Sequence, residues 1–135
     1  MRFTTPYAKK KVSGRIGHSV KFEWKFSGLV DLVTWGLAND GANYIDRRNG
    51  RLLSLDGRGV DVLPPELVPV AYRGRMNGTR TGDSSSGQAS FTLYSVTKDD
   101  EGFYGCSLNP DNQNFGYLND FVQLVVVCMY LFRER

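Results

Sequence analysis

Val20-Lys21-Phe22-Glu23-Trp24-Lys25-Phe26 alternates four apolar side chains with three charged ones. A period of two places Val20, Phe22, Trp24 and Phe26 on one buried face of an extended strand and turns the charges outward. Ser27-Gly28 closes the strand. No amphipathic helix of useful length accompanies it anywhere in the chain, so an all-β protein is expected.

Working outward, Asp31-Leu32-Val33-Thr34-Trp35-Gly36-Leu37 is rich in strand formers and ends at Asn39-Asp40-Gly41. Asn49-Gly50 is a second turn signal, followed by Arg51-Leu52-Leu53-Ser54-Leu55 and Asp56-Gly57. Pro64, Pro65 and Pro69 exclude residues 57–69 from a central strand. A short strand around Arg75-Met76 leads into Asn77-Gly78-Thr79, and the Gly/Ser/Thr-rich stretch 79–87 reads as a flexible turn. Strands follow at 89–96, 103–108 and 121–127, the last two joined by a polar loop over 109–120. Short strands punctuated by turns predict a sandwich or a barrel.

Composition agrees. The 135 residues suit one domain with one core. Glycine, at 15 residues, is above its usual share, and aromatics make up 13%, a pairing that favours turns and strands. A net charge of +3, with basic residues scattered apart from Lys9, Lys10 and Lys11, argues against nucleic acid. One histidine and two cysteines do not make the four convergent ligands of a structural zinc site. Nucleophilic catalysis through histidine would rest on His18 alone, beside Gly17 and Ser19 in a turn, with nothing to prepare it. Phosphate-cradling glycine motifs are absent. Enzyme chemistry and cofactors are therefore not expected. Residues 1–20 hold no apolar run of the secretory kind. The apolar run 121–132 is too short for a helix that crosses a bilayer, which needs about 20 residues, and reads as a buried strand with an overhang.

Asp100-Glu101-Gly102-Phe103-Tyr104-Gly105-Cys106 carries the pattern Asp-x-Gly-x-Tyr-x-Cys. It resembles the strand E–F corner and strand F of immunoglobulin domains, especially the variable type. The resemblance implies that the Tyr104 hydroxyl bonds back to upstream backbone, that Gly102 relieves the tight strand entry, and that Arg75 pairs with Asp100. Trp35 resembles the buried strand C tryptophan, Phe91-Thr92-Leu93 with Val96 resembles strand E, and Leu124 with Val126 the inward pair of strand G. Two β-like regions between Trp35 and Arg75 leave room for strands C′ and C″. The expectation is a two-sheet antiparallel immunoglobulin-like sandwich of the variable (V-set) type. It would fill a single domain over 1–135, with its core at about 7–127 and an overhang at 128–135.

One departure stands out. The strand B pattern places Trp24 where the first cysteine belongs. Cys128 lies about seven residues, at roughly 3.3 Å each, beyond the position facing Cys106, too far for a bridge whose Cα atoms must lie within about 7 Å. Both thiols are expected to be free, with Cys106 an inert buried thiol and Cys128 a leftover near the terminus rather than a cross-link. A missing bridge of that loop length forfeits on the order of 4 kcal/mol. Burial of Trp24 near Trp35 would offset part of it.

If Trp35, Tyr104, Cys106 and Leu124 point inward, the outer face of strands C, F and G carries Leu32, Thr34, Gly36, Phe103, Gly105, Ser107, Phe121 and Gln123. Small residues beside Leu and Phe favour a flat interaction surface over a face covered by a loop, by C′ or by the N-terminal segment. The F–G loop, with Asn112, Asn114, Phe115 and Tyr117, suits either a paratope-like contact or an ordinary hairpin. Asn77-Gly78-Thr79 is the N-glycosylation sequon. The resemblance implies an extracellular or cell-surface recognition or adhesion domain that binds a protein partner, itself included, without nucleic acid or membrane contact of its own. A secreted immune-type binder using the F–G loop is the alternative, and an intracellular structural immunoglobulin module a second.

Overall fold

A computed structural model describes residues 1–39, 41–82, 86–110 and 117–128. Nine strands are described: β1 (Arg2–Phe3), β2 (Lys11–Arg15), β3 (Val20–Ser27), β4 (Leu32–Leu37), β5 (Arg51–Leu55), β6 (Met76–Gly82), β7 (Ser86–Leu93), β8 (Gly102–Asn109) and β9 (Leu118–Val127). They form a four-stranded sheet in the order β1-β3-β7-β6 and a five-stranded sheet in the order β2-β9-β8-β4-β5. The described residues are mostly β, with two sheets packed against one another.

The alternation in β3 is realised residue by residue: Val20, Phe22, Trp24 and Phe26 are buried and Lys21, Glu23 and Lys25 exposed. From the opposite sheet come Val33, Trp35, Tyr104, Cys106 and Leu124, all within one apolar cluster. Phe22 stacks on Tyr104 at 5.6 Å between ring centres, and Trp35 meets Phe91 at 6.1 Å. Gly78 of β6 sits against Trp35, where a Cβ would lie 2.7 Å from the indole. That close approach requires glycine.

Several expectations need correction. The pairing is not wholly antiparallel, because β2 runs parallel to β9, from Lys11 opposite Gln123 to Arg15 opposite Val127. Residues 79–87 do not form one flexible turn. β6 continues to Gly82 and β7 starts at Ser86, since Thr79 and Thr81 face outward and still complete the ladder; residues 83–85 lie outside the described residues. β7 also ends earlier than expected, at Leu93, and Ser95 adopts a positive φ of 52° that breaks the extended run. Between β5 and β6 no second strand is described. A single bridge joins Leu55 to Asp61, and two short 3-10 turns follow at Pro65–Leu67 and Val70–Tyr72. The prolines there remove the donors a strand would need.

Trp24 does not stack on Trp35. Its ring meets Tyr7 edge-on at 5.2 Å, and its Nε1 donates to Asp120 Oδ2 at 2.8 Å. An indole N–H buried in an apolar core needs an acceptor, and β9 supplies it. Cys106 is buried and free, and burial pushes its thiol pKa far up; Cys128 is free and half-buried.

Candidate functional site

The turn before β8 is densely hydrogen-bonded. Residues Lys98–Asp100 form a 3-10 turn whose capping box joins Thr97 and Asp100 in both directions. Asp100 is almost fully buried. Its carboxylate receives Arg75 Nη2 at 2.6 Å and Nη1 at 3.2 Å, a forked charge-assisted pair. Arg75 also donates to the carbonyls of Ala71, Tyr94 and Ser95. The Tyr104 hydroxyl donates to the Asp100 carbonyl at 2.6 Å. Its one proton is thereby committed, so the Tyr72 hydroxyl, 3.1 Å away, donates to Tyr104. Burial raises the pKa of both tyrosines. Gly102 has φ +149°, a backbone state that a side chain would strain, at the point where the corner enters β8. The Asp100 carboxylate and the Tyr72 and Tyr104 side chains are all buried in this hydrogen-bonded corner.

The outer face of β4, β8 and β9 is not the open surface expected. Thr34 and Ser107 are completely buried, Phe121 is 5% exposed and Leu32 8%. Gly36 and Gly105 are buried as well, and only Phe103 and Gln123 are partly exposed. Around Gly36, Gly105 and Phe121 the cause is a second small core, in which Ala42 and Ile45 pack with Phe121 against Ala38 and Phe103. A Cβ on Gly36 would strike Ile45 and the Gly50 carbonyl, and one on Gly105 would strike Phe121. The glycines are small because residues 41–50 lie over them. Asp46 shapes that segment by accepting the amides of Arg48 and Asn49, while Asn39 accepts those of Asn43 and Tyr44. Lys9 ties the N-terminal segment to it through the Gly41 carbonyl. Further along the sheet, Thr34 and Ser54 share a hydrogen bond of 2.8 Å, and Asn109 donates to Ser107.

What this sheet presents outward is therefore carried by the cover and the sheet ends. Tyr44 is 55% exposed on the covering segment, next to Ile45, and the Phe103 carbonyl accepts the Ala38 amide where that segment leaves β4. At the opposite end Tyr117 is 65% exposed, its amide held by the Asn109 side chain at 3.0 Å. Asn112, Asn114 and Phe115 lie outside the described residues. Aromatic side chains on a rigid base are the usual anchors of protein contacts. Sequence reasoning missed Tyr44 because the residues between the turn signals at 39–41 and 49–50 show no periodic pattern. Two glycines facing outward on neighbouring strands were the signal that something packs there.

His18 is exposed, and the backbone of its turn bonds Arg15 and Val96. Among the described residues no group of three His, Cys, Asp or Glu is placed to hold a metal ion, and no helix is long and apolar enough to cross a membrane. No protein-family profile and no curated protein sequence matches the chain.

Proposed function

We propose that this chain is a variable-type immunoglobulin-like recognition domain of a cell-surface or extracellular protein. It binds a protein partner, a second copy of itself included, through the five-stranded sheet. The observation that carries the reading is the corner, in which Tyr104 bonds to the Asp100 carbonyl while Arg75 clamps the Asp100 carboxylate. It supports the resemblance carried by the Asp-x-Gly-x-Tyr-x-Cys motif. The parallel run of β2 along β9 and the packing of Trp35 between the sheets point the same way. The contact surface follows the exposed aromatics rather than the buried strand residues, so it centres on Tyr44 and the edge of Phe103.

The exposure of Tyr117 beside the 109–117 connection favours a second reading, a soluble binder that engages its ligand with that loop. Sedimentation velocity over a concentration series, with and without reductant, tests both. Self-association that survives reductant and weakens in Tyr44→Asp and Phe103→Asp supports sheet-face recognition. Association lost on reduction assigns the dimer to Cys128. A strict monomer excludes homophilic binding and directs the search to a ligand sensitive to Tyr117→Asp.

A further inference from the structure

We infer that Asn77 carries an N-linked glycan that occupies the outer face of the four-stranded sheet and leaves the five-stranded sheet to the protein partner. This rests on the extracellular reading above. The sequon spans Asn77-Gly78-Thr79 in β6, an edge strand. Its phase is fixed from within: Gly78 packs on Trp35 and Leu53, which turns Asn77 and Thr79 outward, and both are exposed. The Asn77 backbone pairs with Thr92, while its side-chain amide makes no hydrogen bond among the described residues. A glycan there displaces no contact of the fold.

The residues across the ladder from it are polar, and Tyr94 is exposed just past the end of β7. Across the ladder Asn77 faces Thr92 and then Lys21, and Thr79 faces Ser90 and then Glu23. Lys21 and Glu23 form an exposed ion pair of 3.1 Å. Such a face suits a hydrated oligosaccharide and contrasts with the Tyr44 and Phe103 aromatics on the other sheet. A glycan on β6 also blocks edge-to-edge strand pairing, a known hazard of exposed edges. In the transfer, the Asn77 amide nitrogen bonds to the anomeric carbon of an N-acetylhexosamine carried on a lipid diphosphate. The C–O bond to the diphosphate breaks, the diphosphate leaves with the electron pair, and the amide gives up one proton.

The test is secretion of the full chain behind an added leader from eukaryotic cells, with intact mass before and after peptide-N-glycosidase. The expected result is a glycan mass that disappears on digestion, leaves aspartate at position 77, and is absent from Asn77→Gln and from Thr79→Ala. Secreted chain without glycan on Asn77 overturns the inference and leaves the domain reading untouched, because the leader supplies the compartment. Any self-association or ligand binding is then compared between the two forms. Affinities agreeing within about twofold support opposite faces, and a loss of about tenfold or more in the glycosylated form overturns them.

Discussion

The indole Nε1 of Trp24 in β3 and the Oδ2 of Asp120 in β9 lie 2.8 Å apart, and the bond between them crosses from one sheet to the other. Asp120 also accepts the amides of Tyr7 at 2.6 Å and Ala8 at 3.0 Å. One buried carboxylate thus joins both sheets and the N-terminal segment. The bond emerges from the strand position where the resemblance leads one to expect a cysteine.

Hydrogen bonds to a charged acceptor contribute about 1.5–3 kcal/mol, and a buried donor left unpaired costs about 1–3 kcal/mol. Trp24→Phe and Asp120→Ala should each destabilise the domain by amounts of that order. In a double-mutant cycle read by urea unfolding, the pair should show a coupling of about 0.5–3 kcal/mol. Strictly additive losses would mean that the bond does not hold the sheets together.

At the corner, Tyr104→Phe removes the donor to the Asp100 carbonyl and the acceptor for Tyr72. A loss of roughly 1–3 kcal/mol is expected. Tyr72→Phe should cost less, because Tyr104 keeps its bond to the carbonyl. Chemical denaturation of the two variants gives the order, and an equal or reversed order would refute the assignment of donors.

The two thiols should separate by reactivity. A thiolate is the reacting form, and burial holds Cys106 protonated. Titration of native protein with a chromogenic disulfide at pH 8 should release one equivalent from Cys128 and a second only on unfolding. Two fast equivalents without denaturant would show that Cys106 is not sealed in the core.

Glu101 accepts the Val126 amide at 2.8 Å and Lys98 Nζ at 3.1 Å, and these bonds, the backbone one first, hold its pKa below its ordinary 4.5. A lowered folded-state pKa contributes stability above the unfolded value, and that stability is lost as pH falls through the folded one. Glu101→Gln should therefore be less stable than the parent at pH 7 and converge with it only as pH falls through the lowered value, below 4.5. Denaturant midpoints between pH 3 and 7 check this, and a constant gap across the range would contradict it.

The cover over the five-stranded sheet can be probed by space. Gly105→Ala should destabilise by about 1–3 kcal/mol through overpacking. Phe121→Leu in the same chain should recover part of the loss. No recovery in thermal unfolding would show that Phe121 is not what the added methyl meets.

The strands were legible wherever a side chain's environment repeats with the ladder. β3 shows its period of two without exception, and β4, β5 and β8 fall close to their expected limits, whereas β9 begins three residues before its expected start, at Leu118. The three residues of the Arg75–Asp100–Tyr104 corner were also legible, because a local motif fixes two of them and Arg75 follows by position. What escaped depends on partners distant in sequence. Asp120 read as loop because its donors lie more than 90 residues away. β2 read as no strand because Lys11-Val12-Ser13-Gly14-Arg15 has little apolar character and owes its form to pairing with β9. Gly36, Gly105, Thr34 and Ser107 read as a bare surface because the sequence gives the size of a residue and not what lies on top of it.

The parallel alignment of β2 and β9 has a mechanical consequence. A force that draws the start of β2 away from the end of β9 acts along both strands in opposite senses. The bonds between Lys11–Arg15 and Gln123–Val127 then bear the load together, in shear, rather than giving way one after another as in a zipper. Under tension the domain resists first through this short ladder. The Lys98–Glu101 clip on Val126 and the Asp120 clamp on Tyr7 and Ala8 back up its two strands.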